Sequence, residues 1–168
     1  MTAETASITL KLNKEISNIV KHSSFNKSFI SAPVKKDITY ADFLSDKMLM
    51  IFVIREGVPY SLFNLIQRFT PFTEENWADF LDISTKSLHR YKQTERSFKS
   101  IQSEKIIEMS EVTSVGLDVF GEMEKFKMWL ETPNFSLGSL KPLELLKDSY
   151  GKELVISELT RIKYGILV

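Results

Sequence analysis

A chain of 168 residues, 43% apolar and 26% charged, has room for one substantial core or two small ones and is too apolar for wholesale disorder. Without cysteine it can form no disulfide framework, thiolate nucleophile or thiolate zinc site, which fits a reducing compartment. The longest apolar run, Met48 to Ile54, falls far short of the ~20 residues of a bilayer span. The first residues show no basic cluster leading into an apolar stretch, so a soluble cytoplasmic protein with no membrane partner is expected.

Net charge is zero but unevenly spread. Residues 1–36 hold six basic and two acidic side chains, 37–83 three and eight, 84–105 six and two, and 106–168 seven and ten. Two basic blocks alternating with two acidic ones suggest one face for a polyanion and another for a different partner. Short windows also fluctuate by a few charges, so this pattern alone decides little.

In chain order, Ile8, Leu10 and Leu12 alternate with polar residues as a short strand does, and Ile16, Ile19 and Val20 suit the start of a helix. Ser23, Ser24, Ser31 and Pro33 then break the pattern, so residues 1–39 read as an arm, disordered in part. From Tyr40 the spacing of Phe43, Leu44, Met48, Ile51, Phe52 and Ile54 predicts continuous helix as far as Gly57. Pro59 suits the first turn of the next helix, which carries Leu62, Phe63, Ile66 and Phe69 and stops before Pro71.

Thr73 then offers an N-cap, with Glu74 and Glu75 where the positive end of the helix dipole favours anions. Asp82 and Ile83 make a tight corner, and Ser84 is a second N-cap candidate for a helix through Tyr91. Residues 92–102 read as a basic, mobile stretch, after which Ser103 and Glu104 open a long helix ended by Gly121. A short helix over 122–130 turns Met123, Phe126, Trp129 and Leu130 inward. A loop, a turn of helix from Pro142 and a last amphipathic helix carrying Leu154, Val155, Leu159 and Ile162 follow. Gly165 then releases an apolar tail. The fold class is all-α, in an arm (1–39), a helix-turn-helix domain (40–105) and a small helical C-terminal domain (106–168).

Two short helices joined at a tight corner have the layout of a helix-turn-helix. Trp77, Leu81, Ile83 and Leu88 supply an apolar corner. The second helix must then offer short polar and basic groups at its N-terminal end, which alone reaches base edges in the major groove. Thr85, Lys86, His89 and Arg90 meet that demand; Ser84, Ser87 and Lys92 suit phosphates. The bland alternative is a solvated basic helix, and the small residue usual at such a turn is missing. His89 has no carboxylate at ligand spacing on its helix, so no metal site and no cofactor is expected.

With that motif in place, residues 55–91 resemble the N-terminal domain of the Xre/MbcA/ParS antitoxin family, through Gly57-Val58-Pro59 and Ile83, Ser84, Ser87, Leu88 and Arg90. Residues 119–168 resemble that family's toxin-binding domain, through Phe120-Gly121, Trp129-Leu130, Pro133-Asn134, Leu137-Gly138, Pro142-Leu143, Gly151, Val155, Leu159 and Tyr164-Gly165. Two departures stand out: Gln102-Ser103-Glu104-Lys105 where the family often has arginines, and Phe126 or Lys127 where it often has a small residue.

The resemblance implies an antitoxin that binds and occludes a RES-domain, NAD-consuming toxin and represses its own operon, as a homodimer on operator DNA that the toxin bridges into larger complexes. Carried over as toxin-binding residues are Trp129, Arg161, Lys163, Tyr164, Gly165, Ile166, Leu167 and Val168. An apolar peptide beyond a glycine can enter a cleft, and Arg161 and Lys163 suit carboxylates there. The rival reading is a helix-turn-helix regulator with no toxin partner, its C-terminal domain serving dimerisation alone. Enzymatic activity is not expected, because no nucleophilic triad, glycine-rich phosphate loop or metal-ligand spacing is present.

Overall fold

The first helix, α1 (Ala3–His22), lies where alternating apolar residues predict a strand. The burial pattern explains the difference. Ile8, Leu12, Ile16 and Val20 stand four residues apart and are all buried, whereas Leu10 is 70% exposed. Helical spacing therefore governs the segment, and the alternation is incidental. The computed structural model describes residues 3–22 and 37–166, and among these all regular elements are helical.

Next come α2 (Tyr40–Ser45) and α3 (Lys47–Glu56), two helices where one is expected. The break is chemical. Asp46 adopts extended backbone angles and accepts a hydrogen bond from Leu49 N–H, capping α3. Then follow α4 (Tyr60–Phe69), α5 (Glu74–Phe80), α6 (Thr85–Thr94), α7 (Ser100–Phe120) and α8 (Met123–Glu131). A 3-10 turn (Phe135–Leu137), α9 (Pro142–Leu145) and α10 (Ser149–Lys163) complete the order. No described helix is long and apolar enough to cross a membrane.

The chain divides into two units whose membership departs from the expected domain limits. The first takes in Met1–Phe69 and Lys86–Ile107, the second Thr70–Thr85 and Glu108–Val168. In the first, α1 packs on α4 and α2, so the described part of residues 1–39 is an integral element rather than an arm. Ser17 Oγ donates to Ile38 C=O and accepts from Ile38 N–H, while Asn13 Oδ1 accepts from Tyr40 N–H, tying α1 to the start of α2.

The expected mobile stretch beyond Lys92 is held there too. α6 continues to Thr94, and Phe98 is buried with its ring 4.9 Å from that of Phe63 and 4.2 Å from that of Tyr91. Phe98 N–H donates to Val58 C=O, and Val58 N–H donates to Ser103 Oγ, which in turn donates to Phe98 C=O. Ser103 therefore sits inside α7 as a buried clasp and does not open it. The clasp needs Gly57, since a Cβ there would stand 2.5 Å from Phe98 O.

The second unit has an aromatic centre. Phe72, Trp77 and Phe80 meet edge to face, with ring centroids 5.1–6.0 Å apart. Phe126 is fully buried against Gly116, where an added Cβ would stand 2.4 Å from the ring. The glycine thus makes room for the large side chain noted at 126. Gly151 brings α10 onto α9, its missing Cβ otherwise 2.0 Å from Leu145 O. Lys152 and Glu111 add a half-buried ion pair at 2.9 Å.

Candidate interaction surfaces

The corner after α5 is built by the chain's own hydrogen bonds. Thr73 caps α5 with a reciprocal Thr73–Asn76 capping box. Hydrogen bonds at the Glu75 backbone and to Thr73 lower the Glu75 pKa below its ordinary value. At the other end Asp82 N–H donates to Asp79 C=O and Ile83 N–H to Ala78 C=O, with Asp82 at φ 50°. This is a Schellman closure with aspartate in the left-handed position glycine usually fills, which accounts for the missing small residue. Lys147 reaches the same corner: its Nζ lies 2.8 Å from Asp79 Oδ2, and the two share an open depression with Ala78, Asp82, Ile83 and Ser84. That hydrogen bond raises the Lys147 pKa.

On α6, Leu88 is buried and Tyr91 stacks on Phe98. Helical spacing puts Lys86, His89 and Arg90 on the opposite side, and all three are exposed. Ser84, Thr85 and Lys92 are exposed as well, and Ser87 is half-buried. Every group expected to meet DNA except Ser87 thus lies open to solvent.

The C-terminal candidates separate into three kinds. Trp129 is half-buried, its ring 5.7 Å from Phe120 and 6.3 Å from Phe126, as part of an aromatic stack. Lys163 is held by a hydrogen bond to Asp118, which raises its pKa, and its Nζ lies 5.9 Å from the Tyr164 ring centroid. Arg161 lies 3.5 Å from Glu158 on its own helix. Tyr164, Gly165 and Ile166 are exposed, and Leu167 and Val168 lie outside the described residues. Gly165, at φ 66°, closes α10 as Asp82 closes α5: its N–H donates to Ile162 C=O, and Ile166 N–H to Arg161 C=O.

Several surface residues escaped the sequence reading. Leu154, expected inward, is 54% exposed, and Tyr150 is 83% exposed. Phe135 is 91% exposed on its 3-10 turn, and Met128 and Leu140 are also open. Only the α10 pair carried a signal: both stand opposite Gly151, Val155 and Leu159, the buried side of that helix.

Among the described residues every regular element is helical, the basic side of α6 is exposed, and the C-terminal segment bears outward aromatic side chains. Residues 116–165 match the antitoxin Xre/MbcA/ParS C-terminal toxin-binding domain. The chain is also similar to a chain of a Mycobacterium tuberculosis structure described as the MbcT-MbcA toxin-antitoxin complex. The identity is 23% and the TM-score 0.48, over 58% of this chain and 86% of that one. At that level nothing is carried over from it. No curated protein matches the sequence significantly.

Proposed function

We propose that this chain is the antitoxin of a toxin–antitoxin pair, neutralising a RES-domain, NAD-consuming toxin by direct binding and repressing its own operon through α6. The observation that carries this reading is the toxin-binding family match over residues 116–165. The end of that segment supports the mode of inhibition. Tyr164 and Ile166 are exposed, and Gly165, at φ 66°, turns the chain out of α10 there, which suits these residues to a partner's cleft. Arg161 and Lys163 each face a carboxylate of their own unit, Glu158 and Asp118, which a toxin carboxylate would replace.

The DNA role rests on the exposed basic side of α6 and on the phosphate-neutralising groups around it. A homodimer places two such helices on half-sites about one helical turn apart, and toxin bridging builds the larger complex. Co-expression with the toxin encoded by the adjacent reading frame tests the mechanism. The full chain restores growth, and the chain cut after Tyr164 does not. Full protection by the shortened chain rejects occlusion by the tail.

A further inference from the structure

Four positions of α10 and its C-capping Tyr164 form one stripe, flanked by the exposed Glu153 and Thr160. Tyr150, Leu154, Ser157, Arg161 and Tyr164 alternate spacings of four and three, which keeps them on one face, opposite the buried Gly151, Val155 and Leu159. Three of the five are large apolar or aromatic groups at least 54% exposed. The only charge among the five is the Arg161 guanidinium.

The 3-10 turn that packs against α10 carries Phe135. Its backbone is fixed from within. Asn134 Oδ1 accepts from Ser136 N–H at 2.9 Å, Asn134 C=O accepts from Leu137 and Ser139 N–H, and Asn134 N–H donates to Leu140 C=O. Leu137 is buried beneath, while the neighbouring phenyl ring is 91% exposed. An aromatic ring that gains almost nothing from folding, yet is presented by a hydrogen-bonded turn, has little ordering entropy left to lose when a partner covers it. Rigid aromatic anchors of this kind dominate interface energetics.

We propose that the toxin is gripped by Phe135 together with the outer stripe of α10, a contact separate from the terminal peptide: the anchor supplies affinity and the tail supplies inhibition. The inference rests on the antitoxin reading above, and the occupant is taken to be the toxin for two reasons. The anchor and stripe lie inside the segment that matches a toxin-binding domain, and the stripe leads into the exposed Gly165 and Ile166, which the proposed function places in the toxin. The chemistry recognised is an apolar pocket for the phenyl ring, bordered by a carboxylate for Arg161.

The test is binding of the full chain to the purified product of the adjacent toxin reading frame, followed by interferometry, with NAD turnover by the toxin read in parallel. Phe135→Ala is expected to raise Kd by ~30-fold or more, the range of an interface anchor, with the thermal melt unchanged. Tyr150→Ala is expected to weaken binding in the same direction. The chain cut after Tyr164 is expected to bind and fail to inhibit. A Kd for Phe135→Ala within about twofold of wild type, or loss of all binding on truncation, overturns the inference while leaving the antitoxin reading in place. Self-association lost in Phe135→Ala with toxin affinity intact assigns the face to a second copy and also overturns it. Failure of the wild-type chain to bind rejects the antitoxin reading itself, and this inference with it.

Discussion

Single residues decide where this chain bends and where helices approach. At Gly151 the obstacle to a side chain is backbone, because Leu145 O would stand 2.0 Å from an added Cβ. A carbonyl cannot swing aside as a side chain can, so Gly151→Ala is expected to cost about 1–3 kcal/mol, read as a lower urea midpoint at unchanged m-value. An unchanged midpoint would show that α9 and α10 are not in close contact there. Lys163 offers a proton-linked check. Its pKa is raised by the hydrogen bond and charge of Asp118, so this tie is fully present below the ordinary lysine pKa and lost as pH rises through the higher folded value. Asp118→Asn is expected to lower the Lys163 pKa in an NMR titration; no change would mean the pair does not form in solution.

At the scale of elements, the sequence was legible wherever capping chemistry and helical spacing agreed. Thr73, Pro142, Gly121 and Gly165 mark helix ends where they were expected. The failures have physical causes. Leu10 faces water between Ile8 and Leu12, so a helix imitates a strand. Asp46 reads as one more polar residue in a helical run until its side chain is seen to cap α3. The polar, basic sequence around Phe98 suggests mobility, and only a contact with Val58, forty residues earlier in the chain, shows otherwise. The site is harder to read than the fold, because periodicity reports the buried side of a helix and is silent on which outward groups matter. Lys86, His89 and Arg90 were singled out because a groove demands charge and are exposed, whereas the exposure of Phe135 was not legible because a phenylalanine looks like a core residue in one dimension.

For α6 the expected outcome is selective. Arg90 is exposed opposite Leu88, so Arg90→Ala is expected to remove the proposed DNA contact without disturbing packing. Operator affinity in a gel-retardation assay should fall by ~1–3 kcal/mol if the guanidinium reads a base edge, with toxin neutralisation intact. Uniform weakening across unrelated DNA sequences would instead make it a phosphate contact.

Across the whole molecule, a neutral net charge conceals an uneven distribution. The basic residues 84–105 include α6, while the acidic residues 106–168 hold the family-matched segment, the asymmetry that the proposed DNA and toxin roles call for. The two halves of the corner motif also fall to different units, with Thr70–Thr85 grouped with the family-matched segment and the rest of α6 grouped with α1–α4. Lys147, from within the matched segment, reaches Asp79 on α5, so that segment also supports the first helix of the corner.

The central claim is the proposal that this chain silences a toxin by occupying it, and titration of the NAD turnover of the proposed RES-domain toxin with the purified chain tests it most directly. Turnover should fall linearly with added chain and vanish near equimolar ratio. Undiminished turnover in the presence of excess chain would contradict the account.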